Sequence, residues 1–247
     1  MTETSGKVAF ITGAAKRVGA GIAEHLAARG MQLAIHYNRS ASDAELLASR
    51  LRDRYGIEVL TLQADLRDIA ALAPLVDQVA SHFGRLDVLI NNASAFYPTP
   101  VEGVTPDQWQ ELLDTNLRAP FFLAQAAIPY LRASQGCIIN LADIYGDRPL
   151  ANYLPYNISK AGIIMLTKSL AKELGPEIRV NAIAPGVALW ADGSQPAEDT
   201  RQRVLAKTAL KRAGSPEDMA KAIAFFIFDA PYVTGQVLAV DGGRSVY

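Results

Sequence analysis

The fold is decided near the amino terminus by the stretch Val8-Ala-Phe-Ile-Thr-Gly-Ala-Ala-Lys-Arg-Val-Gly19. Its first five residues form a short apolar run of the kind that builds a buried strand. Two glycines six residues apart follow this strand, and the residues from Ala20 to Arg29 have helical character. A strand, a glycine-rich turn and a helix in this order are typical of a phosphate-binding unit in a parallel α/β sheet. A plain turn between strand and helix is the alternative.

The same alternation of strand and helix continues along the chain. The predicted strands are Val8–Thr12, Gln32–His36, Glu58–Leu62, Leu86–Ile90, Cys137–Leu141, Ile178–Ala182 and Gln236–Val240. Helices are predicted at Ala41–Tyr55, where apolar residues recur every three to four positions, and at Ile69–Phe83, which ends at Gly84. Strands separated by helices imply right-handed crossovers, and hence a parallel sheet covered on both faces. We expect a single α/β domain over residues 1–247, with a doubly wound parallel sheet of about seven strands.

Composition and charge argue against several classes of protein. The 247 residues are 50% hydrophobic and carry a formal net charge of −1, so the basic excess that nucleic-acid binding needs is missing. One cysteine and three histidines argue against a disulfide framework and a structural metal site. The apolar runs are too short for a membrane span, and the polar start does not resemble a signal peptide. We expect a cytoplasmic protein with a small-molecule substrate and no metal.

The residues after the second strand bear on the choice of dinucleotide. A site for NADH places an acid here to bind the ribose 2′-hydroxyl, whereas this chain has His36-Tyr-Asn-Arg-Ser40. Arg39 can pair with a 2′-phosphate, Asn38 and Ser40 can add hydrogen bonds, and Arg17 lies in the neighbouring loop. These residues favour NADPH, and solvated surface charge is the other interpretation.

A tyrosine and a lysine lie four residues apart in Tyr156-Asn-Ile-Ser-Lys160, on one face of a predicted helix. A lysine cation near a phenol stabilises the phenolate, so we expect Lys160 to lower the pKa of Tyr156. That change suits proton transfer to or from a substrate. A surface pair is the alternative, but the glycine loop and the α/β pattern favour a proton-transfer site.

The chain resembles the classical short-chain dehydrogenase/reductase family over essentially its whole length. The motifs that carry the resemblance are Thr12-Gly13 with Gly19, Asp65-Leu66, Asn91-Asn-Ala93, Asn116, Tyr156 with Lys160, Arg179-Val-Asn181, Pro185-Gly186, Thr234-Gly-Gln236 and Asp241-Gly-Gly243. The resemblance implies a Rossmann-type domain in which Tyr156 donates a proton and Lys160 binds the nicotinamide ribose and tunes Tyr156. It also implies that Asn116 supports a proton-relay water.

The resemblance further implies a dinucleotide site. Its residues would be Gly13, Arg17, Val18, Gly19, Tyr37, Asn38, Arg39, Ser40, Asp65, Leu66, Asn92, Ala93, Ser94, Tyr156, Lys160, Pro185, Gly186 and Val187. In this arrangement Asp65 bonds the adenine, and Asn92 and Ala93 line the riboses. The stretch Pro185-Gly-Val187 contacts the nicotinamide amide.

Two positions depart from the family's usual pattern. The family normally has glycine where Arg17 stands, and serine thirteen residues before the tyrosine, where this chain has Asp143. A carboxylate at that place would repel the developing alkoxide of a ketone, but it suits a substrate whose ring nitrogens take up protons. An inactive family member is the alternative explanation.

Both departures occur together in the pteridine reductases, a subfamily that this chain resembles. The shared residues are the TGxxxRxG loop, His36–Ser40 and Asn92-Ala-Ser-Ala-Phe-Tyr-Pro-Thr-Pro100. The resemblance implies that Phe96 stacks on a flat pterin, although without it Phe96 would be interpreted as a core residue. Ser94 and Arg17 would bond the pterin and the cofactor phosphates.

These residues predict an NADPH-dependent pteridine reductase in which Asp143 and Tyr156 supply the proton. The substrate is a dihydropterin, with oxidised pterin and dihydrofolate as further candidates. The alternatives are a dihydromonapterin or dihydrofolate reductase of the same subfamily, a short-chain carbonyl reductase, and a non-catalytic sensor of NADP(H). Asp143 and Phe96 argue against the carbonyl reductase. The joint presence of Tyr156, Lys160 and Asn116 argues against the sensor, which needs no proton shuttle.

Two further expectations concern segments outside the motifs. The polar stretch 191–200 is either a solvated loop or a mobile lid, within a substrate loop around residues 187–215. The apolar helical stretch 161–170 either forms an interface or lies in the core. Because members of the family are commonly tetramers, we expect a homotetramer.

Overall fold

The protein is built around a parallel sheet. The computed structural model describes residues 6–187 and 198–246. Within these ranges the strands are β1 (Val8–Ile11), β2 (Gln32–Tyr37), β3 (Val59–Gln63), β4 (Val88–Asn91), β5 (Cys137–Leu141), β6 (Arg179–Pro185) and β7 (Val237–Val240). Their order in the sheet is β3-β2-β1-β4-β5-β6-β7, and every neighbouring pair is parallel. The predicted doubly wound parallel sheet is confirmed.

Helices connect successive strands. They are α1 (Arg17–Ala28), α2 (Ala41–Tyr55), α3 (Ile69–Phe83), α4 (Pro106–Leu113), α5 (Ala119–Ser134), α6 (Leu154–Leu174), α7 (Glu198–Ala206) and α8 (Pro216–Ala224). A π-helical turn, Asp114–Arg118, joins α4 to α5, and a second, Phe225–Asp229, extends α8. Among the helices of the described ranges, none combines the length and the apolarity that crossing a membrane requires.

The core lies in two layers, one on each face of the sheet. Ala9 and Ile11 of β1 pack in the layer that contains α1, α2 and α8. Val8 and Phe10 point the other way, into the layer that contains α3, α5 and α6. Successive side chains of a strand point to opposite faces, so a strand covered on both sides must be apolar throughout. This requirement explains why the strands appear in the sequence as continuous apolar runs.

Several predicted boundaries need correction. The structure begins α1 at Arg17 rather than Ala20, so Gly19 lies in the first turn of the helix and not in the loop. The sixth strand spans Arg179–Pro185, whereas the strand predicted from the sequence ended at Ala182. Residues 188–197, which belong to the predicted substrate loop around 187–215, lie outside the described residues. They include most of the predicted irregular stretch 191–200. Its last three residues, 198–200, are helical because they begin α7.

The helical stretch 161–170 lies within α6 and has two different faces. Ile163, Thr167 and Leu170 are buried against the sheet, whereas Met165 is exposed. The stretch therefore contributes to the core. The homotetramer stays a prediction.

The strand order places a crevice at the carboxyl end of β1. β2 and β3 lie on one side of β1, whereas β4 to β7 lie on the other side. The order in which strands are added to the sheet therefore reverses direction at β1. Ligands of open α/β sheets bind at such a point. The loops that follow the first six strands, β1 to β6, all contribute residues there.

Candidate active site

A cleft of about 1040 Å³ opens at this edge of the sheet. It is lined by nearly all the residues that the sequence predicts for the site: Gly13, Arg17, Val18, Gly19, Tyr37, Asn38, Arg39, Ser40, Asp65, Leu66, Asn92, Ala93, Ser94, Phe96, Asp143, Tyr156, Lys160, Pro185, Gly186 and Val187. Asn116 is the exception and lies behind the wall. The fold thus brings residues that follow six different strands, together with two from α6, into one site.

The glycine loop after β1 is held against the loop after β4. The amide of Asn92 donates to the carbonyl oxygens of Thr12 at 2.8 Å and Gly13 at 2.9 Å. Gly13 has a φ of +61°, and a Cβ there would lie 2.9 Å from the Cα of Ala93. A Cβ at Gly19 would lie 2.7 Å from the Asn92 amide nitrogen, so both positions need glycine.

The amino terminus of α1 faces the cleft behind this loop. The first N–H groups of a helix have no acceptor within it, and Lys16 at the N-cap provides no side-chain hydrogen bond. The N–H groups of the first turn and the positive end of the helix dipole make this a suitable site for a pyrophosphate. The residues therefore fit the dinucleotide that the sequence predicts.

His36 is a second support of the glycine loop that the sequence analysis did not identify as such. The backbone N–H of Gly13 donates to Nδ1 of His36 at 3.1 Å, and Nε2 lies 3.1 Å from the carbonyl oxygen of Ala64. A neutral ring with its proton on Nε2 satisfies both contacts. Burial lowers the pKa of His36, although the bond to Ala64 partly offsets this effect. The ring connects the ends of three strands.

Arg17 stands where the family resemblance predicts glycine, and its backbone has a conformation that favours glycine. Its φ is +54°, in the left-handed region that glycine adopts without strain. A residue with a Cβ pays about 1 kcal/mol there. The side chain lines the cleft, so a functional contact of the guanidinium would offset a conformational cost.

The end of β2 forms the far wall of the cleft. Asn38, Arg39 and Ser40 line it, at the place where a 2′-phosphate is predicted. The nearby carboxylate of Asp65 is bound by the guanidinium of Arg67 at 2.6 Å, and this hydrogen bonding lowers the pKa of Asp65. Its predicted bond to adenine would share that carboxylate with Arg67.

The first turn of α6 carries the predicted proton donor. Tyr156 is buried, and its Oη donates a hydrogen bond of 2.7 Å to Oδ2 of Asp143. The other carboxylate oxygen accepts from the backbone N–H of Tyr145 at 2.9 Å, which fixes its orientation. Burial raises the pKa of Tyr156 well above its ordinary value, and the charge of Asp143 raises it further. The net direction is therefore opposite to the one expected from Lys160, because desolvation and Asp143 dominate.

Lys160 is buried close to the same pair. Its Nζ donates to the carbonyl oxygen of Leu141 at 2.8 Å and lies 5.6 Å from the centre of the Tyr156 ring. Burial lowers the pKa of Lys160 to about 8, and Asp143 partly opposes this. The lysine consequently remains a cation at neutral pH, beside a hydrogen-bonded carboxyl and phenol. Its bond to a ribose stays a prediction.

Asn116 anchors the loop after β4. Its Oδ1 accepts from the backbone N–H of Ala95 at 2.8 Å and from Oγ of Ser94 at 3.0 Å. Its amide nitrogen donates to the carbonyl oxygen of Ala95 at 3.0 Å and to Oγ of Ser159 at 3.1 Å. A carboxamide has two donor and two acceptor sites, so these contacts occupy the side chain fully. The proton-relay role of Asn116 stays a prediction.

Phe96 follows this anchor and is not a core residue. Its side chain is 48% exposed and lines the cleft. The ring lies edge-on to Tyr156 at 4.8 Å and stacks on Tyr153 at 4.6 Å. An exposed aromatic ring beside a proton donor is a suitable surface for a flat heterocycle. Tyr153 was not recognised from the sequence, although it lies three residues before Tyr156.

The described part of the predicted substrate loop also lines the cleft. Thr200 and Val204, one turn apart on α7, line the cleft. Val187 is fixed near the start of this segment, because its carbonyl oxygen accepts from the backbone N–H of Gly214 at 2.9 Å. α7 thus contributes to the same cleft as the loop that carries Phe96.

The sequence is similar to reductases of more than one substrate class. A family model described as enoyl-(acyl carrier protein) reductase matches residues 13–245. Ketoacyl reductase 2 of the granaticin polyketide synthase, from Streptomyces violaceoruber, is 38% identical over 97% of this chain and 96% of its own. Pteridine reductase 1 of Leishmania tarentolae is 36% identical over 99% of this chain and 98% of that protein.

Solved structures share the fold. A short-chain dehydrogenase/reductase from Serratia marcescens has a TM-score of 0.92 and 35% identity, covering 98% of this chain and 99% of that one. A blue fluorescent protein from a metagenomic library, solved in complex with NADPH, has a TM-score of 0.88 and 34% identity, covering 97% and 98%. The chain therefore belongs to the classical short-chain dehydrogenase/reductase family and is an oxidoreductase of that family.

Proposed function

We propose that this oxidoreductase is an NADPH-dependent pteridine reductase that converts a dihydropterin to the tetrahydropterin. One observation carries the proposal: the carboxyl of Asp143 is hydrogen-bonded to Tyr156 at 2.7 Å, next to the exposed ring of Phe96 in the same cleft. The ring offers a stacking surface, and the pair offers a proton at its edge. Both features match the demands of a flat heterocycle that must be protonated on nitrogen.

The proton comes from the coupled Asp143–Tyr156 pair. Burial raises the pKa of Asp143, so this carboxyl takes up a proton more readily than an exposed one. Burial and Asp143 also keep Tyr156 protonated. The pair adds a proton to the ring nitrogen of the C=N bond, and its titration belongs to both groups together. Lys160 holds a positive charge nearby while the proton leaves.

NADPH, when bound, supplies the hydride that adds to the carbon of the same C=N bond. Gly13 and Gly19 let the glycine loop pack closely against Ala93 and Asn92, and the amino terminus of α1 behind this loop would bind its pyrophosphate. Arg39 and Ser40 lie where a 2′-phosphate would extend from the adenosine ribose. These residues favour NADPH over NADH because a guanidinium pairs with a phosphate dianion.

Reduction of a ketoacyl group is the second candidate. The similarity to the granaticin ketoacyl reductase favours it, since that relative is 38% identical over nearly the whole chain. Asp143, which is hydrogen-bonded to the phenol of Tyr156, argues against ketoacyl reduction. A carboxylate of Asp143 repels the oxygen of a carbonyl as negative charge develops on it, whereas a ring nitrogen accepts a proton there.

A turnover screen with NADPH tests the two functions together. The substrates are biopterin, dihydrobiopterin, dihydromonapterin, dihydrofolate and an acetoacetyl thioester, with Tyr156→Phe as the inactive control. We expect oxidation of NADPH with at least one dihydropterin and little with the thioester. Turnover of the thioester alone would replace the proposed function with the second candidate. If the protein binds NADPH but turns over none of these substrates, a non-catalytic sensor of NADP(H) would be the remaining candidate function.

A further inference from the structure

The ring of Phe96 has only one face available to a ligand. Tyr153 covers the other face, since the two rings are nearly parallel, with 14° between their planes and 4.6 Å between their centres. Tyr156 approaches the same ring edge-on, at 4.8 Å and 71°. A flat molecule that stacks on Phe96 must therefore enter from the side opposite Tyr153.

Backbone contacts reinforce this stack. The N–H of Thr99 donates to the carbonyl oxygen of Asn152 at 2.6 Å, and Thr99 forms a parallel bridge with Tyr153. The φ of Asn152 is +64°, so the chain turns sharply just before Tyr153. At the other end of the segment, Asn116 holds the backbone of Ala95 on both sides. Phe96 thus lies between two fixed points.

Tyr153 is also tied to the proton donor. It is the residue immediately before α6, and Tyr156 lies in the first turn of that helix. A helical turn is rigid, so the two tyrosines hold a fixed spacing. The height of the Phe96 ring relative to the Tyr156 hydroxyl is then set by the stack on Tyr153.

We propose that Tyr153 is a positioning residue that presents the free face of Phe96 to a flat heteroaromatic substrate, level with the Asp143–Tyr156 pair. This inference rests on the proposed function, because it needs a substrate that stacks. Tyr153 acts through Phe96 and takes no part in proton transfer. Its hydroxyl is not required, whereas its ring is.

The test is a double-mutant cycle on steady-state reduction of dihydrobiopterin by NADPH. The variants are Tyr153→Leu, Phe96→Leu and the double variant, with Tyr153→Phe as the conservative rescue. The control is Tyr232→Leu, which removes a fully exposed tyrosine. Tyr153→Leu should raise KM for dihydrobiopterin about fivefold, the value of one aromatic pair, and leave kcat and KM for NADPH nearly unchanged. Tyr153→Phe and Tyr232→Leu should behave as the wild type.

The double-mutant cycle distinguishes a Tyr153 that positions Phe96 from a Tyr153 that contacts the substrate directly. If Tyr153 acts through Phe96, adding Tyr153→Leu to Phe96→Leu causes no further rise in KM. Multiplied effects would show that Tyr153 contacts the substrate itself, and an unchanged KM in Tyr153→Leu would remove the role altogether. Either result would overturn the inference and leave the proposed function standing. A wild-type enzyme that reduces no pterin would remove both.

Discussion

The hydroxyl of Tyr156 donates a 2.7 Å hydrogen bond to Asp143, a residue thirteen positions earlier that reaches it from the end of β5. The carboxylate is held by a second bond, from the backbone N–H of Tyr145. Burial raises the pKa of both partners. The proton they share is therefore available at higher pH than the proton of an exposed carboxyl. This relationship distinguishes the site from one in which a serine hydroxyl holds a carbonyl oxygen.

Replacing the carboxyl should remove pterin reduction. In Asp143→Asn the side-chain oxygen can still accept from Tyr145, but the group no longer supplies a proton. We expect kcat for dihydrobiopterin to fall at least about a hundredfold, the usual contribution of a general acid. The Kd for NADPH, measured by fluorescence titration, should change little.

Asp147→Asn is the matched control, since Asp147 is exposed four residues further along the same loop. It should retain wild-type turnover. Asp143→Ser, which restores the side chain typical of the family, should lose pterin reduction as well. Full pterin turnover in either Asp143 variant would contradict the assignment of the proton donor.

Arg39→Ala should change the preference between the two nicotinamide dinucleotides. A charge-assisted bond to a 2′-phosphate contributes about 1.5–3 kcal/mol, so Kd for NADPH should rise roughly ten- to a hundredfold. Kd for NADH, which lacks this phosphate, should stay nearly constant. Arg50→Ala is the control, because Arg50 lies on α2, where it pairs with Glu24. Equal weakening of both dinucleotides would exclude Arg39 from the phosphate site.

The buried charge of Lys160 should lower the free energy of unfolding of the protein. Burial lowers its pKa to about 8 from 10.5, so the folded chain holds this proton less tightly than the unfolded chain. The resulting cost, up to about 3 kcal/mol, is complete below the folded pKa and disappears as pH rises towards the unfolded one. Lys160→Met should therefore raise the free energy of unfolding at pH near 7, with a smaller gain at pH near 10, while abolishing turnover.

Urea unfolding of the enzyme without cofactor, at several pH values, measures this effect. Lys168→Met provides the control, because Lys168 is an exposed residue on the same helix. It should change stability little at any pH. A loss of stability in Lys160→Met at neutral pH would show that the bond from Nζ to Leu141 outweighs the desolvation of the charge.

Local patterns predicted much of the fold. The bounds of α2, α3 and Cys137–Leu141 agree with the structure, because apolar periodicity and terminal glycines act within a few residues. The start of α1 was placed too late. It depends on contacts between the glycine loop and Asn92, about 80 residues away, and on the left-handed backbone of Arg17. Neither is visible in a local window.

The candidate site shows the same division. Tyr156, Lys160 and Asp143 were found from their spacing and from the family resemblance, and they lie together in the cleft. The pKa of Tyr156 was predicted in the wrong direction, because desolvation depends on the surrounding fold and not on the distance to a lysine in sequence. Tyr153 was missed for a similar reason. Its partner Phe96 lies on a different loop.

His36 should link the stability of the glycine loop to pH. Its ring is neutral when it accepts from Gly13, and burial lowers its pKa below 6.5. At pH values between 6.5 and the lower pKa of His36 in the folded chain, the unfolded chain binds a proton that the folded chain does not. Stability should therefore fall as pH decreases from about 6.5, and this slope should be smaller in His36→Ala.

The same substitution leaves the half-buried N–H of Gly13 without its partner, so the free energy of unfolding at pH 7.5 should fall by about 1–3 kcal/mol. Kd for NADPH should rise with it, because the loop that faces the pyrophosphate loses a support. His82→Ala removes an exposed histidine that contacts Glu58 and should leave Kd unchanged. Wild-type affinity and an unaltered pH slope in His36→Ala would show that Asn92 holds the glycine loop without help from the ring.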